Sequence, residues 1–340
     1  MPYPKVAVVI IHWNRKHLLK NFLPSVVAST YPNLEIVLAD NASDDGSVEY
    51  VQQHFPSVTV VRNDANYGYA GGYNHALKHV QADYYVLLNN DIEVPANWIE
   101  PVIEAMEKNK AIAAAQPKML DFHNKGSFEY AGASGGMLDA FGFPFCRGRI
   151  FNTLETDLNQ YDEATSVFWA TGACLFIRTE LFHAAGGFDE HFFAHMEEID
   201  LCWRLQLMGH EIWAIPQSQV YHVGGGTLDK INAHKTYLNF RNSLIMLYKN
   251  LPAQKLWWVI FVRSWLDLLA SIHFLSKGER DHSWAIHRAH ADFFFQLKKW
   301  QQLRKKIRPL KKRSAPLSGL YQFSIVFRYF ILKKHTFKSL

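Results

Sequence analysis

Cysteine is scarce in this chain: three residues, Cys146, Cys174 and Cys202, in 340. The number is odd, and no Cys-x-x-Cys or Cys/His spacing accompanies it. A disulfide framework and a zinc ribbon are therefore not expected, and reduced thiols in the cytosol are. A basic leader followed by an apolar core and a cleavage site is also missing. The chain instead enters an apolar run at residues 5–11, so secretion is not expected. Acidic residues are absent after Asp292, where thirteen Lys and Arg fall. Before that point 23 basic residues face 31 acidic ones, a balance of −8. An acidic body with a basic tail suits an anionic partner, a lipid surface or a nucleic acid. The acidic body and the lack of any known binding motif argue against nucleic acid.

What is present is a core-forming composition. The chain is 49% hydrophobic, 20% charged and 14% aromatic, enough for one large domain or two smaller ones. Residues 6–11 form a continuous apolar run, expected of a strand covered on both faces. Residues 15–28 carry helical spacing, with Pro24 inside. Further strands are expected at 34–39, 58–61, 84–88 and 112–116, and helices at 47–54, 72–81 and 98–108. Strands separated by single helices predict an α/β fold, a doubly wound, mostly parallel sheet of Rossmann type. Ligands of such sheets bind beyond the carboxyl ends of the strands.

Residues 121–165 are glycine-rich and irregular, expected to be an active-site loop or small insert. Strand character returns at 168–178 and 220–222, and beyond Lys235 the pattern is helical. The segment 256–275 is strongly apolar but holds Arg263, Asp267 and His273, which argues against a clean bilayer span. It and a second apolar stretch at 319–332 are expected to be interfacial or tucked against the body.

Polar clusters fall where the sheet would bind ligands. Leu87-Leu88-Asn89-Asn90-Asp91 ends a buried strand, and Asp91 at its tip suits a hard divalent cation, Mg²⁺ or Mn²⁺. A cap for the next helix is the alternative. Asp40-Asn41-Ala42-Ser43 follows the second strand. There an Asp could accept from a base or ribose, although an ordinary turn explains the segment equally well. Asn66-Tyr67-Gly68-Tyr69-Ala70-Gly71-Gly72-Tyr73-Asn74 could bring backbone close to a phosphate, but it lacks the Lys-Ser/Thr ending of a P-loop, and a flexible loop explains it as well. Glu197-Glu198-Ile199-Asp200 gathers carboxylates whose mutual repulsion could raise a pKa into the range of a base. A helix start dressed with acids is the alternative. His222 ends a strand before Gly224-Gly225-Gly226-Thr227 and could bind metal or phosphate.

These blocks, in this order, together with Val8-Val9-Ile10-Ile11-His12-Trp13-Asn14, Thr171-Gly172-Ala173-Cys174 and Gly186-Gly187-Phe188-Asp189-Glu190, resemble the inverting glycosyltransferases of family 2, which have the GT-A fold, and in particular their rhamnosyltransferase-like branch. The resemblance covers about residues 4–250. It implies a nucleoside-diphosphate-sugar donor and a glycan or lipid-linked glycan acceptor. It assigns donor and nucleotide binding to His12, Asn14, Asp40, Asn41, Ser43, Asn66, Gly71, Gly72, Asn74, Asn89 and Asn90. Asp91, the last position of the family's Asp-x-Asp motif, and His222 would hold the divalent cation. Thr171, Gly172 and Ala173 would lie at the acceptor. Glu198 would be the base, with Glu197 second and Asp200 a supporting acid paired with Arg204.

Two departures stand out. Asn89 replaces the motif's first Asp, and Glu198 replaces the Asp of the family's Glu-Asp pair. They leave a degenerate nucleotide-sugar-binding protein as the alternative. The expected organisation is a catalytic domain at 1–245, its nucleotide half 1–118 and its acceptor half 119–245. A helical basic region at 246–340 would then either meet an anionic membrane surface on the cytoplasmic side, each Lys or Arg near the leaflet adding about 1 kcal/mol, or form a packed helical subdomain with a solvated basic face.

Overall fold

The computed structural model describes residues 3–224, 232–312 and 317–340. Its first half alternates strand and helix: β1 (Val6–His12), α1 (Lys16–Val27), β2 (Leu34–Asp40), α2 (Ser47–His54), β3 (Thr59–Arg62), α3 (Gly68–Ala76), β4 (Tyr84–Asn89), β5 (Ile92–Glu93), α4 (Glu100–Lys108) and β6 (Ile112–Asp121). A small-strand region follows, with β7 (Gly136–Asp139), β8 (Pro144–Cys146), β9 (Arg149–Ile150), β10 (Thr153–Leu154) and β11 (Thr165–Val167). Then come β12 (Cys174–Arg178), α5 (Thr179–Ala184), α6 (Glu197–Leu207) and β13 (Glu211–His222). The helices α7 (Ala233–Asn250), α8 (Ala253–Ser276), α9 (Arg280–Phe295) and α10 (Leu297–Ile307) precede a short β14 (Leu320–Tyr321).

The main sheet runs β11-β13-β6-β12-β4-β1-β2-β3, with β5 paired to β13. The nucleotide half, β4-β1-β2-β3, is parallel as expected. The other half is mixed, because β12 runs antiparallel between β4 and β6. The reason is the path of the chain. No crossover helix follows β6; residues 122–173 instead form other strands and loops. Without a crossover, β12 pairs against its neighbours in the reverse sense.

Register then sets the site. Ile11 pairs with Asn89, His12 with Asp40 and His222 with Ile92. The ends of β1, β2, β4 and β13 therefore meet around one opening. Val6 to Val9 and Val86 to Leu88 are fully buried, which suits their unbroken apolar runs.

The glycine-rich stretch expected to be an active-site loop or small insert contains a second sheet, β10-β9-β8-β7-β14. Its fifth strand comes from the C-terminal segment, so residues 319–332 are tucked against the body: Ile325 is buried, its N–H donates to Asp139 Oδ2 at 2.9 Å, and Tyr329 bonds Thr153. In the basic region expected to meet a membrane, Trp300 is buried and donates to Phe293 O at 3.0 Å. Helix α7 runs unbroken through position 245 and packs on α9 and α6.

Candidate active site

A cleft of about 310 Å³ opens at the carboxyl ends of β1 and β4. His12, Asn41, Asn66, Asn89, Asn90, Asp91, Thr171, Gly172, Ala173, Glu197, Glu198 and His222 all line it. The structure thus brings together twelve residues drawn from every block of the chain but one.

The acidic pair begins α6. Three residues just before it, Phe193, His195 and Met196, hold φ angles of 62, 70 and 73°, a left-handed backbone that costs non-glycine residues energy. The surroundings impose it. The amide of buried Asn242 donates to the carbonyls of Phe192, Ala194 and His195 at 2.9, 2.9 and 2.8 Å. The Phe193 carbonyl accepts from the N–H groups of Tyr69 and Ala70. So held, Glu197 and Glu198 enter the cleft. One oxygen of each is buried with no hydrogen-bond partner among the described residues. Burial pushes the Glu198 carboxyl up to about 7. Burial first and the nearby Glu198 second raise Glu197 well above the usual carboxylate range. A pair of this kind shares its protons, and its titration belongs to both members.

Asp200, the third acid, does not reach the cleft. Arg204 Nε at 2.9 Å, Lys249 Nζ at 3.0 Å and Asn250 Nδ2 at 2.8 Å surround its carboxylate. Fully buried and held by three donors, this carboxylate is closed to a substrate. Asp200 tethers α6 to α7.

Asp91 sits in the tight turn between β4 and β5, and α4 starts too far on for Asp91 to cap it. Its Oδ1 lies 3.1 Å from His222 Nε2, while Glu129 Oε1 lies 3.2 Å from His222 Nδ1. Burial alone would lower the His222 pKa; the flanking carboxylates outweigh it and raise it to about 10. Burial would raise Asp91, but His222 outweighs it and holds the carboxyl below its ordinary range. Among the described residues no group of three His, Cys, Asp or Glu forms a complete metal cage. One carboxylate oxygen beside one imidazole nitrogen still fits Mn²⁺ or Mg²⁺, which take their remaining ligands from water and phosphate, once His222 gives up its Nε2 proton to make room for the cation. Residues 225–227 after His222 lie outside the described residues.

His12 is buried between two partners. Asn90 Nδ2 donates to Nδ1 at 2.8 Å, so Nε2 carries the hydrogen and donates to Ser47 Oγ at 2.9 Å. Burial pushes its pKa down to about 4 against the pull of Asp40 and Asp45, so the ring is neutral near pH 7.

The remaining residues expected at the donor stand behind the cleft wall. Asp40 is fully buried, accepts from Ser43 N at 3.1 Å and pairs with Arg62 at 3.5 Å. Ser43 Oγ in turn accepts from Asn14 N at 2.8 Å. Gly71 and Gly72 serve close packing. A Cβ on Gly72 would lie 2.5 Å from the Asn41 amide, and one on Gly71 2.8 Å from Tyr67 Cβ. The first N–H groups of α3 are already taken by Asn66 Oδ1 and Phe193 O, which removes the phosphate cradle expected there. Asn74 bonds the backbone of Phe188 in both directions, so it anchors a loop.

Sequence reasoning missed Trp13, Arg15, Tyr69, Phe193, His195 and Lys235, which also line the cleft, and Glu129 beside His222. Trp13 and Arg15 flank Asn14 and His195 stands two residues before Glu197, signals that could have been used. Glu129 and Lys235 carried none, because only the folded chain brings them in.

Known proteins share this fold and part of this sequence. The chain is 28% identical over 235 residues to an N-acetylglucosaminyl-diphospho-decaprenol L-rhamnosyltransferase of Mycobacterium tuberculosis, covering 64% of this chain and 75% of that one. It is 26% identical over 223 residues to the O-antigen biosynthesis protein RfbC of Myxococcus xanthus, covering 64% of this chain but spanning only 17% of that longer protein. Its fold matches the mannosyltransferase PcManGT from Pyrobaculum calidifontis, solved with GDP-Man and Mn²⁺, with a TM-score of 0.52 and 16% identity over 90% of this chain and 86% of that one. The profile described as "Glycosyl transferase family 2" matches residues 7–184. More than half of the chain lies in that match and its fold is GT-A, so this chain belongs to glycosyltransferase family 2.

Proposed function

We propose that this protein moves a sugar, rhamnose being the first candidate, from a nucleoside-diphosphate sugar to a hydroxyl of a glycan or lipid-linked glycan, with inversion, in bacterial cell-surface polysaccharide synthesis. The observation that carries the reading is a buried carboxylate with one unpaired oxygen, Glu198, poised near pH 7 in the same cleft as Asp91 and His222. Ionised Glu198 accepts the acceptor's hydroxyl proton as the oxygen attacks the anomeric carbon. The bond to the diphosphate breaks on the opposite face, and the nucleoside diphosphate leaves with the electron pair. Protonated Glu197 keeps the pair to one negative charge. Asp91 and His222 would hold a divalent cation, which when bound neutralises charge on the leaving diphosphate. Arg15 adds positive charge to the same cleft. Residues 1–118 would bind the donor, 119–245 the acceptor and base, and 246–340 would face an anionic membrane surface.

The test is thermal stabilisation of the protein by UDP, dTDP, GDP and CMP, each with Mn²⁺ and with EDTA. A metal-dependent shift with one nucleotide, lost in Asp91→Ala, is the expected result. Silence with every nucleotide would overturn the reading. A shift with no sugar transfer from the matching donor would identify a binding protein that has lost catalysis.

A further inference from the structure

We propose that the outward face of α8 is a docking surface for an anionic lipid bilayer, with the helix lying in the interfacial layer rather than spanning it. This sharpens the membrane contact proposed above by naming the face that makes it.

After Leu256, Val259 and Ile260, which pack inward, helix α8 is built inside out. Its exposed side carries Trp257, Trp258, Phe261, Trp265, Leu269 and Ile272, from 52 to 64% exposed. Their spacing of one, three, four, four and three residues puts them in one stripe, about 36 Å long for a helix of 24 residues. Its inward side carries the polar groups. Arg263 Nε pairs with Asp267 at 2.7 Å, and Asp267 also accepts from His290 of α9 at 3.0 Å. Arg263 NH1 donates to the Gly142 carbonyl at 3.2 Å, and Ser271 bonds Ser283 at 2.7 Å. Surface helices of soluble proteins place these classes the other way round. An exposed apolar stripe of this length marks a contact surface.

By length and composition alone α8 could cross a bilayer. Crossing would tear Arg263 and Asp267 from the body and strand them in hydrocarbon. Lying flat keeps every one of those bonds and buries only the stripe.

Charge selects the occupant. No acidic side chain of α8 is exposed, and Lys255 stands at its start. Helix α10, which contains no acid, exposes Lys298, Lys299, Lys305 and Lys306. An anionic leaflet complements that charge, and tryptophan is the side chain that settles at the headgroup level. A second copy of the chain would bring the same positive sign.

Flotation of the full-length protein on a density gradient with phosphatidylcholine vesicles, with and without phosphatidylglycerol, tests this. Wild type should float with the anionic vesicles and weakly or not at all with the neutral ones. The Phe261→Glu/Trp265→Glu double variant should stay at the bottom while keeping the wild-type melting temperature and nucleotide-induced shift. Wild type that fails to float overturns the proposal, as does a double variant that floats like wild type. A concentration-dependent dimer in sedimentation, broken by the double variant in the absence of any flotation, would hand the face to a second copy. Flotation and nucleotide binding are read separately, so failure of this proposal and failure of the transferase reading can be told apart.

Discussion

At the scale of single residues, Glu198 sets the pH behaviour. Its carboxyl must be ionised to accept a proton, and burial has lifted it to about 7. Transfer should therefore rise as pH passes through about 7 and level off above it. Glu198→Gln should lower turnover by roughly 10²–10⁴-fold, the usual share of a general base, with nucleotide binding unchanged in isothermal titration. The same shift has a stability consequence. A carboxyl whose folded pKa is raised stabilises the fold only while protonated. Its contribution is full below the unfolded value near 4.5 and is lost as pH rises through the folded value. Glu198→Gln should accordingly melt higher than wild type at pH 8, by about 1–3 kcal/mol of unfolding free energy, and match it below about pH 4. Equal melting at both pH values would place the ionisation elsewhere in the pair. Glu129 gives a different test. It meets His222 on the nitrogen opposite Asp91, as second partners of metal-binding histidines do. Glu129→Gln should weaken Mn²⁺ binding about 10–100-fold, read by paramagnetic relaxation of water protons; unchanged affinity would give Glu129 a purely structural role.

At the scale of elements, the start of α6 is strained and the strain is held from α7. Asn242 spans three carbonyls of one loop with a single amide. Asn242→Ala leaves the Ala194 and His195 carbonyls without their donor, while Phe192 O keeps the Ala194 N–H, and should cost about 2–4 kcal/mol in urea unfolding. It should also lower turnover, because Glu198 loses its fixed bearing. A loss of stability with full activity would detach the clamp from the chemistry. This scale also shows what could be read in advance. The unbroken apolar runs of β1 and β4 and the spacing of α1 announced themselves, since local pattern alone decides such elements. The direction of β12 did not, because it depends on where the chain goes between residues 122 and 173. The glycines of α3 misled for a similar reason: the same residues that let a phosphate approach let Asn41 approach, and only the folded neighbours tell which.

At the scale of the whole molecule, the acidic body and basic tail were legible as a sum of charges. The sequence also announced an apolar segment at 256–275. Which way it faced was hidden, because the partners of Arg263 and Asp267 lie on α9 and on the turn between β7 and β8. The active-site blocks were legible because each sits at a strand or helix end. Asp200 was set apart in sequence only by its pairing with Arg204; the donors that complete its enclosure, Lys249 and Asn250 some fifty residues away, were not legible.

The small sheet carries one more consequence. Strand β14 pairs with β7 across some 180 residues of chain, and Ile325 fills the pocket between Phe145 and Ile150. During synthesis, β7 through β10 emerge long before the strand that covers their edge. An apolar edge therefore stands open to other chains for an interval before β14 arrives. Deletion of residues 317–340 should make that interval permanent, and the truncated protein should pellet on expression where the full chain stays in solution. Supply of the missing segment as a separate peptide should restore solubility.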